Sequence, residues 1–214
     1  MKSKWIIGID EAGRGPLAGP VSIGIFGGDK KIRNWILKNI FNNKLRDSKK
    51  LSPKKREGIY KEFLRLKKSG KIFFSVSHVS NKIIDEKGIS FATKIAIKRA
   101  LVNTKRSASN IDFYNKNCVI RLDGLLKAPK EYISAGWRTK TIVGGDSKDV
   151  FIACASIVAK VRRDRLICRL AKKYPKYNFE THKGYGTLLH RHLIKKYGLS
   201  PLHRKSFCKK LHFS

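Results

Sequence analysis

Apolar and polar residues alternate along the chain with two periods, and the switches between them predict its elements. Trp5–Asp10 is a short isoleucine-rich run, Trp5-Ile6-Ile7-Gly8-Ile9, that reads as a strand. Gly13, Gly15, Pro16, Gly19 and Pro20 mark a tight turn region after it. Val21–Phe26 reads as a second strand, closed by Gly27-Gly28-Asp29. Ile32, Trp35, Ile36 and Ile40 recur at helical spacing. Ser52-Pro53 has the form of a helix start, with Ser52 as N-cap and an apolar stripe of Ile59, Phe63 and Leu66 behind it. Ile72–Val79 sets Ile72, Phe74 and Val76 against Ser75 and Ser77, the alternation of a half-buried strand.

Further on, a helix is expected over Ile89–Leu101, a polar loop over Thr104–Lys116, and strands over Val119–Asp123 and Thr139–Val143. Val150–Lys173 predicts a long helix. Its first half is small (Ala153, Cys154, Ala155, Ser156, Ala159), which permits close approach to a sheet, and its second half is rich in arginine and lysine. Tyr185–Tyr197 is the last predicted helix, with Gly198 as C-cap and Pro201 beyond. Strands interleaved with helices predict an α/β layered domain with a mixed sheet. No internal repeat and no long linker divides the chain, so one domain over residues 1–214 is expected.

Hydrophobic residues make up 41% of the 214, enough for a core. No apolar run reaches the roughly 18 residues of a membrane span. The N-terminus lacks an apolar stretch followed by a small-residue cleavage site, so secretion is not expected. Cys118, Cys154, Cys168 and Cys208 lie far apart without a CxxC pair, which disfavours a zinc module and fits free thiols in a reducing cytoplasm. Lysine and arginine number 49 against 15 acids, a net charge of +34. Nucleic acid is the leading partner for such a chain, through phosphate neutralisation and counterion release. An anionic membrane surface would also attract it, and a lysine-rich habit with charge spread evenly would give the same total. The same charge disfavours self-association, so a monomer is expected. Because lysines occur nearly everywhere, the charge does not locate a site.

The acids are more informative. Asp10 and Glu11 follow the first apolar run, Asp123 ends Cys118-Val119-Ile120-Arg121-Leu122, and Asp146 follows Thr141-Ile142-Val143-Gly144-Gly145. Ligands of α/β sheets gather at the carboxyl ends of strands. Carboxylates brought together there repel and call for a cation, and all-oxygen donors suit Mg²⁺ or Mn²⁺. Such a cluster in a basic chain points to a metal-dependent nuclease. Asp10 and Glu11 are adjacent, however, and adjacent strand side chains point to opposite faces, so a shared site needs the strand to end there or a backbone carbonyl to serve as ligand.

Gly8-Ile9-Asp10-Glu11-Ala12-Gly13-Arg14-Gly15-Pro16-Leu17-Ala18-Gly19-Pro20-Val21 closely resembles the opening motif of the ribonuclease HII family. The resemblance continues, in family order, through Asp47-Ser48-Lys49-Lys50-Leu51-Ser52, Leu122-Asp123-Gly124, Gly145-Asp146-Ser147, Ile152–Val161, Arg163-Asp164, His182–Thr187 and His203–Phe207. It implies a ribonuclease-H-like fold, a central mixed sheet flanked by helices, with a helical C-terminal part from about residue 174. It implies endonucleolytic cleavage of RNA in RNA–DNA hybrids. It also implies nicking on the 5′ side of single ribonucleotides in duplex DNA, leaving a 3′-hydroxyl and a 5′-phosphate. Four catalytic positions follow: Asp10, Glu11, Asp123 and Asp146, holding two Mn²⁺ or Mg²⁺ ions. Gly13-Arg14-Gly15 matches the segment that recognises the 2′-hydroxyl, and Tyr185 the tyrosine that stacks on the next sugar. Ser48 and Lys49 match a substrate-contacting loop.

Two departures stand out. Gly144 replaces the family's usual lysine, with a weaker phosphate contact or altered metal affinity as the expected cost, and Ala12 replaces a valine. Lys30–Lys44 is longer than the family pattern and is expected to form a surface helix without assigned function. A start of the first strand near residue 5 disfavours the related ribonuclease HIII, which carries a large N-terminal extension. The same residues would also suit a junction resolvase on the same fold or a weakly catalytic hybrid binder. Asp146 also suits a helix N-cap, and Tyr185 a core aromatic. His182, His190, His192 and His203 are expected to be satisfied or solvated rather than metal ligands, and Lys160–Arg169 to form a nucleic-acid-facing wall.

Overall fold

The computed structural model describes residues 5–45, 51–107, 118–124, 126–134 and 137–209. Strands β1 (Trp5–Ala12), β2 (Val21–Gly28), β3 (Ile72–Val79), β4 (Cys118–Asp123) and β5 (Arg138–Ile142) form one sheet in the order β3-β2-β1-β4-β5. The β3-β2-β1 half is antiparallel; β1, β4 and β5 run parallel. The sheet is therefore mixed, as expected, and β1 and β4 deliver their carboxyl ends to the same edge.

Helices cover both faces. On one lie α1 (Lys30–Asn39), α2 (Pro53–Lys68) and the long α6 (Val150–Ala171), packed over Ile6, Phe26, Ile72 and Phe74. On the other lies α3 (Asn81–Ser107), packed over Ile7, Ile9, Ile23, Ile25, Ile120 and Leu122. The period-2 alternation of the strands thus separates two cores. Ser52 caps α2 by accepting from the Lys55 amide, and Ile59, Phe63 and Leu66 are buried, as the stripe predicts. Within the Lys30–Lys44 stretch only Lys30–Asn39 forms a helix, anchored in the core by Ile32 and Ile36. Among the described residues no helix is long and apolar enough to cross a membrane.

Helix α6 lies directly on the sheet backbone. A Cβ at Gly8 would stand 2.2 Å from the Phe151 carbonyl carbon, and one at Gly24 2.3 Å from the Ala155 carbonyl oxygen. Only glycine at those two strand positions, where Gly8 meets the backbone of Phe151 and Ile152 and Gly24 meets Ala155 and Ala159, lets the helix this close. Its N-terminus is fixed by Asp149, which accepts from the Phe151 and Ile152 amides at 3.0 and 3.2 Å and pairs with Arg121 of β4.

Several boundaries differ from expectation. β1 runs to Ala12, so Glu11 lies inside the strand rather than past its end. α3 begins at Asn81, breaks at Gly88 (φ 80°) and includes residues 104–107, which polar composition alone marks as loop. The last predicted helix starts at Leu188, capped by Thr187; Tyr185 precedes it in a turn.

The remaining short elements, α4 (Lys130–Ser134), α5 (Gly145–Lys148), a 3₁₀ turn (Pro175–Tyr177), α7 (Phe179–His182), α8 (Leu188–Tyr197) and α9 (Lys205–Cys208), include the helical C-terminal region. That region is stitched to the turn after β1. Gly184 and Leu202 carbonyls accept from the Leu17 and Gly19 amides at 2.8 and 2.9 Å, and the Arg204 amide donates to Leu17 at 2.7 Å.

Three of its histidines converge rather than scatter. His182 and His190 stack at 4.0 Å between ring centroids, and His190 Nε2 meets His203 Nε2 at 3.0 Å. His203 Nδ1 accepts from the Ser200 amide at 2.8 Å, so its Nε2 carries the proton given to His190, whose Nδ1 in turn donates to the Tyr185 carbonyl at 2.9 Å. Burial holds His190 and His203 at about 4, and His78, which meets the Ser22 hydroxyl, at about 4 as well. In the unfolded chain these rings protonate near 6.5, so their neutral folded form favours folding fully above that pH and progressively less toward 4. The thermal midpoint is accordingly expected to fall as pH drops through that window. His190→Gln should shrink the fall, and a midpoint flat from pH 6.5 to 4 would contradict the neutral network.

Candidate active site

Asp10 and Asp123 stand on neighbouring parallel strands, on the face covered by α6. Asp10 is buried, and its Oδ1 accepts from the Glu11 amide at 2.7 Å. Asp123 Oδ1 accepts from the Gly145 amide at 2.6 Å. One carboxylate oxygen from each of Asp10, Glu11 and Asp123 lies within 4.8 Å of the others. The adjacency problem is thus resolved inside the strand: the short Asp10 side chain turns toward the Glu11 amide and the longer Glu11 side chain reaches the same space. Burial pushes the Asp10 carboxyl well above the usual carboxylate range; the Glu11 and Asp123 charges add to the rise and a hydrogen bond from Ser156 opposes it.

Asp146 is buried in the first turn of α5, directly after the residue that bonds Asp123. It stands next to the three-carboxylate grouping, which does not include it. It is not an N-cap: Gly144 holds that position in α5, and Asp149 caps α6. Gly144 has a left-handed φ of 64°. Lys148 Nζ donates to the Val143 carbonyl at 2.8 Å and lies 3.9 Å from where a Cβ at 144 would stand, so an ammonium occupies the neighbourhood of the family's usual lysine.

β1 leads straight from the acids into Gly13-Arg14-Gly15. Gly13 has φ +87°, and a Cβ there would lie 2.0 Å from Arg163 Nε; around Gly15 there is open space. Two buried arginines hold this turn. Arg204 donates to the carbonyls of Gly13, Arg14 and Gly19 at 2.6, 2.9 and 2.9 Å. Arg163 donates to those of Pro20, Lys183 and Ala18 at 3.0, 3.0 and 3.2 Å. Tyr185, 39% exposed, has Lys160 Nζ 5.0 Å and Arg163 Cζ 5.7 Å from its ring centre. It is a presented aromatic rather than a core one. Ser48 and Lys49 lie outside the described residues.

The expected basic wall over Lys160–Arg169 needs one correction. Arg163 is fully buried, whereas Arg162, Arg165 and Arg169 line a groove of about 570 Å³ together with Arg56 and Lys183. Sequence reasoning missed Arg163, Arg204 and Ser156 as partners of the site. A serine among the alanines of α6 was the available signal for the last of these. For the arginines no compositional signal exists in a chain with 49 basic residues. Among the described residues the histidines form no metal-ligand grouping.

The donors present fit a hard divalent cation: they are carboxylate oxygens, close together, and mutually repelling without one. Comparison with known proteins points the same way as the geometry. Residues 7–214 match the family model for ribonuclease HII. The ribonuclease HII of Caldicellulosiruptor bescii is 42% identical over 97% of this chain and 88% of its own length, and that of Dehalococcoides mccartyi 40% identical over 94% and 85%. Among solved structures, the ribonuclease HII of Archaeoglobus fulgidus, determined in complex with PCNA, superposes with a TM-score of 0.72 at 24% identity, covering 96% of this chain and 95% of that one. The type 2 ribonuclease H of Pyrococcus horikoshii does so with a TM-score of 0.64 at 27% identity, covering 94% and 93%.

Like-charge repulsion at a buried cluster yields a stability test. In chelator, Asp10→Asn is expected to melt higher than the parent chain, by roughly 2–4 °C for each kcal/mol of relieved repulsion. Mn²⁺ or Mg²⁺ at about a hundred times its Kd should raise the parent by about 5–10 °C and the variant by much less. A variant no more stable than the parent in chelator would contradict the strained cluster.

Proposed function

The chain belongs to the ribonuclease HII family, and on that footing we propose that it nicks duplex DNA on the 5′ side of a single embedded ribonucleotide, leaving a 3′-hydroxyl and a 5′-phosphate. Family membership makes it a hydrolytic endonuclease of the RNA in RNA–DNA hybrids. The finer reading rests on one observation: the cluster of Asp10, Glu11 and Asp123 and the glycine turn at Gly13-Arg14-Gly15 meet on one continuous stretch of chain leading out of β1. From residue 11 to residue 14 the chain spans about 11 Å at most. Whatever sugar the turn reads, the bond beside it lies at the acids.

In this reading Asp10, Glu11, Asp123 and Asp146 hold two divalent ions, Mg²⁺ or Mn²⁺. When bound, these supply an activated water and charge stabilisation at the leaving oxygen. The protein's own groups do the rest. The carboxylates would hold these ions at the end of β1, beside which the scissile phosphate has to lie. The backbone of Gly13-Arg14-Gly15 meets the 2′-hydroxyl, the only group that separates RNA from DNA at that sugar. Tyr185, which is partly exposed, would stack on the next deoxyribose and reject a 2′-hydroxyl there, which favours a ribonucleotide followed by DNA. Arg162, Arg165 and Arg169, on the exposed side of α6, neutralise backbone phosphates along the groove. The whole of residues 1–214 serves as one catalytic domain.

A duplex with one ribonucleotide, incubated with Mg²⁺ or Mn²⁺, should be cut once, 5′ of that nucleotide; an intact strand with both metals would overturn the reading. Asp123→Asn should lower kcat by about 10²–10³ or more, the scale of losing one electrostatic contact in a preorganised site, while largely keeping duplex affinity. If about six phosphates are neutralised, log K should fall against log[salt] with a slope of about −5. A slope near zero would place the positive excess away from the interface.

A further inference from the structure

Arg204 is fully buried, and each nitrogen of its guanidinium donates to main chain: Nη2 to the Gly13 carbonyl, Nη1 to the Arg14 carbonyl, Nε to the Gly19 carbonyl. Its own position is fixed from both sides. The Arg204 amide donates to Leu17 at 2.7 Å. Asp85 caps the short helix that follows, accepting from the amides of Lys205 and Ser206 at 2.9 Å each.

A peptide group is planar and trans, so its C=O and the next residue's N–H point in opposite directions. No peptide among the described residues is cis. With the carbonyls of Gly13 and Arg14 both turned inward onto one guanidinium, the amides of Arg14 and Gly15 must face the other way. That side is open: Gly15 is exposed, and a Cβ built on it would meet nothing within 4 Å. The opposite side is closed, because Gly13 presses on the Arg163 side chain. Adjacent carbonyls gripped by one planar fork form a geometry that an ammonium on a flexible stem does not reproduce.

We propose that Arg204 is a positioning residue for ribonucleotide recognition: by locking the Gly13 and Arg14 carbonyls inward, it aims the Arg14 and Gly15 amides at the 2′-hydroxyl before substrate arrives. The inference rests on the ribonucleotide-nicking reading above and adds the residue that enforces it. Arg204 touches no substrate; it acts through the turn. Two amides held in advance lose little freedom on binding, so their hydrogen bonds count nearly in full toward discrimination.

The test is made with the full chain in chelator, where no strand is cut. Dissociation constants are measured for a duplex with one ribonucleotide and for the same duplex in DNA throughout. The parent chain should prefer the ribonucleotide duplex by about two- to tenfold, the worth of one net hydrogen bond. Arg204→Lys should bring that preference close to one while leaving the all-DNA affinity near the parent's. Full preference in the variant, or an equal loss of affinity for both duplexes, would overturn the proposal, since the latter marks a merely structural role.

A second measurement needs no variant and covers the case in which Arg204→Lys does not fold. The backbone amide resonances of Arg14 and Gly15 in the parent chain should shift with the ribonucleotide duplex well beyond their shift with the all-DNA duplex. Equal responses would overturn the proposal. A parent chain that nicks the ribonucleotide duplex with metal yet binds both duplexes alike in chelator overturns this inference alone; one that does not nick overturns the reading beneath it.

Discussion

The close approach of α6 to the backbone of β1 and β2 is the contact on which the rest of the site depends. Side chains are absent at Gly8 and Gly24 where the helix crosses, and the small residues Ala155 and Ala159 face Gly24. Interiors are packed densely enough that even one added methyl group forces a shift, so this contact sets the helix height over the sheet. Every α6 group that serves the site inherits that height. Ser156 reaches Asp10, Lys160 stands by Tyr185, Arg163 fills the space behind Gly13, and Asp149 ties the helix start to Arg121 on β4. The carboxylates, the turn and the aromatic face are held in one frame by a single helix.

That frame sustains two opposed electrostatic arrangements side by side. At the end of β1, carboxylates are packed against each other within 4.8 Å and the most buried, Asp10, resists ionisation. Immediately beyond, two guanidinium groups are buried among main-chain carbonyls. Burial lowers Arg204 to about 9, with Arg163 nearby adding to the fall, so it remains charged at neutral pH. Charge-assisted hydrogen bonds to several carbonyls compensate the desolvation that a lone cation would suffer. Asp10 and Asp123 each accept a main-chain amide, yet the clustered carboxylates still repel one another, which is the physical mark of a site suited to a cation; the arginines bond carbonyls through every side-chain nitrogen, and that is the mark of a scaffold.

Much of this is legible in the order of residues. The strand sequence, the mixed sheet, the small-residue face of α6 and the carboxylates at strand ends all follow from local pattern, because each is dictated by neighbours within a few positions. What is not legible is long-range. The convergence of His182, His190 and His203 depends on how α7, α8 and the segment after Gly198 fold back on one another. The placement of Asp10 and Glu11 in one site contradicts strict alternation. It is achieved by side-chain length and a local hydrogen bond, not by an early strand end. Periodicity draws Tyr185 into the last helix because its spacing to later apolar residues holds; the cap at Thr187 starts the helix beyond it.

The arginines of α6 illustrate where sequence and structure meet. As a run, Lys160–Arg169 looks uniformly basic. Phase separates it. Arg162, Arg165 and Arg169 fall at i, i+3 and i+7, one face of a helix of 3.6 residues per turn, and they line the open groove. Arg163 falls instead in register with Ile167 and Ala171, both buried, and it is carried inward with them. The same helix therefore sorts its cations by position alone. The outward set faces the groove. The inward one and Arg204 hold the turn after β1 through its main-chain carbonyls. Phase against apolar neighbours, rather than charge density, distinguishes the buried arginine of α6 from the exposed ones.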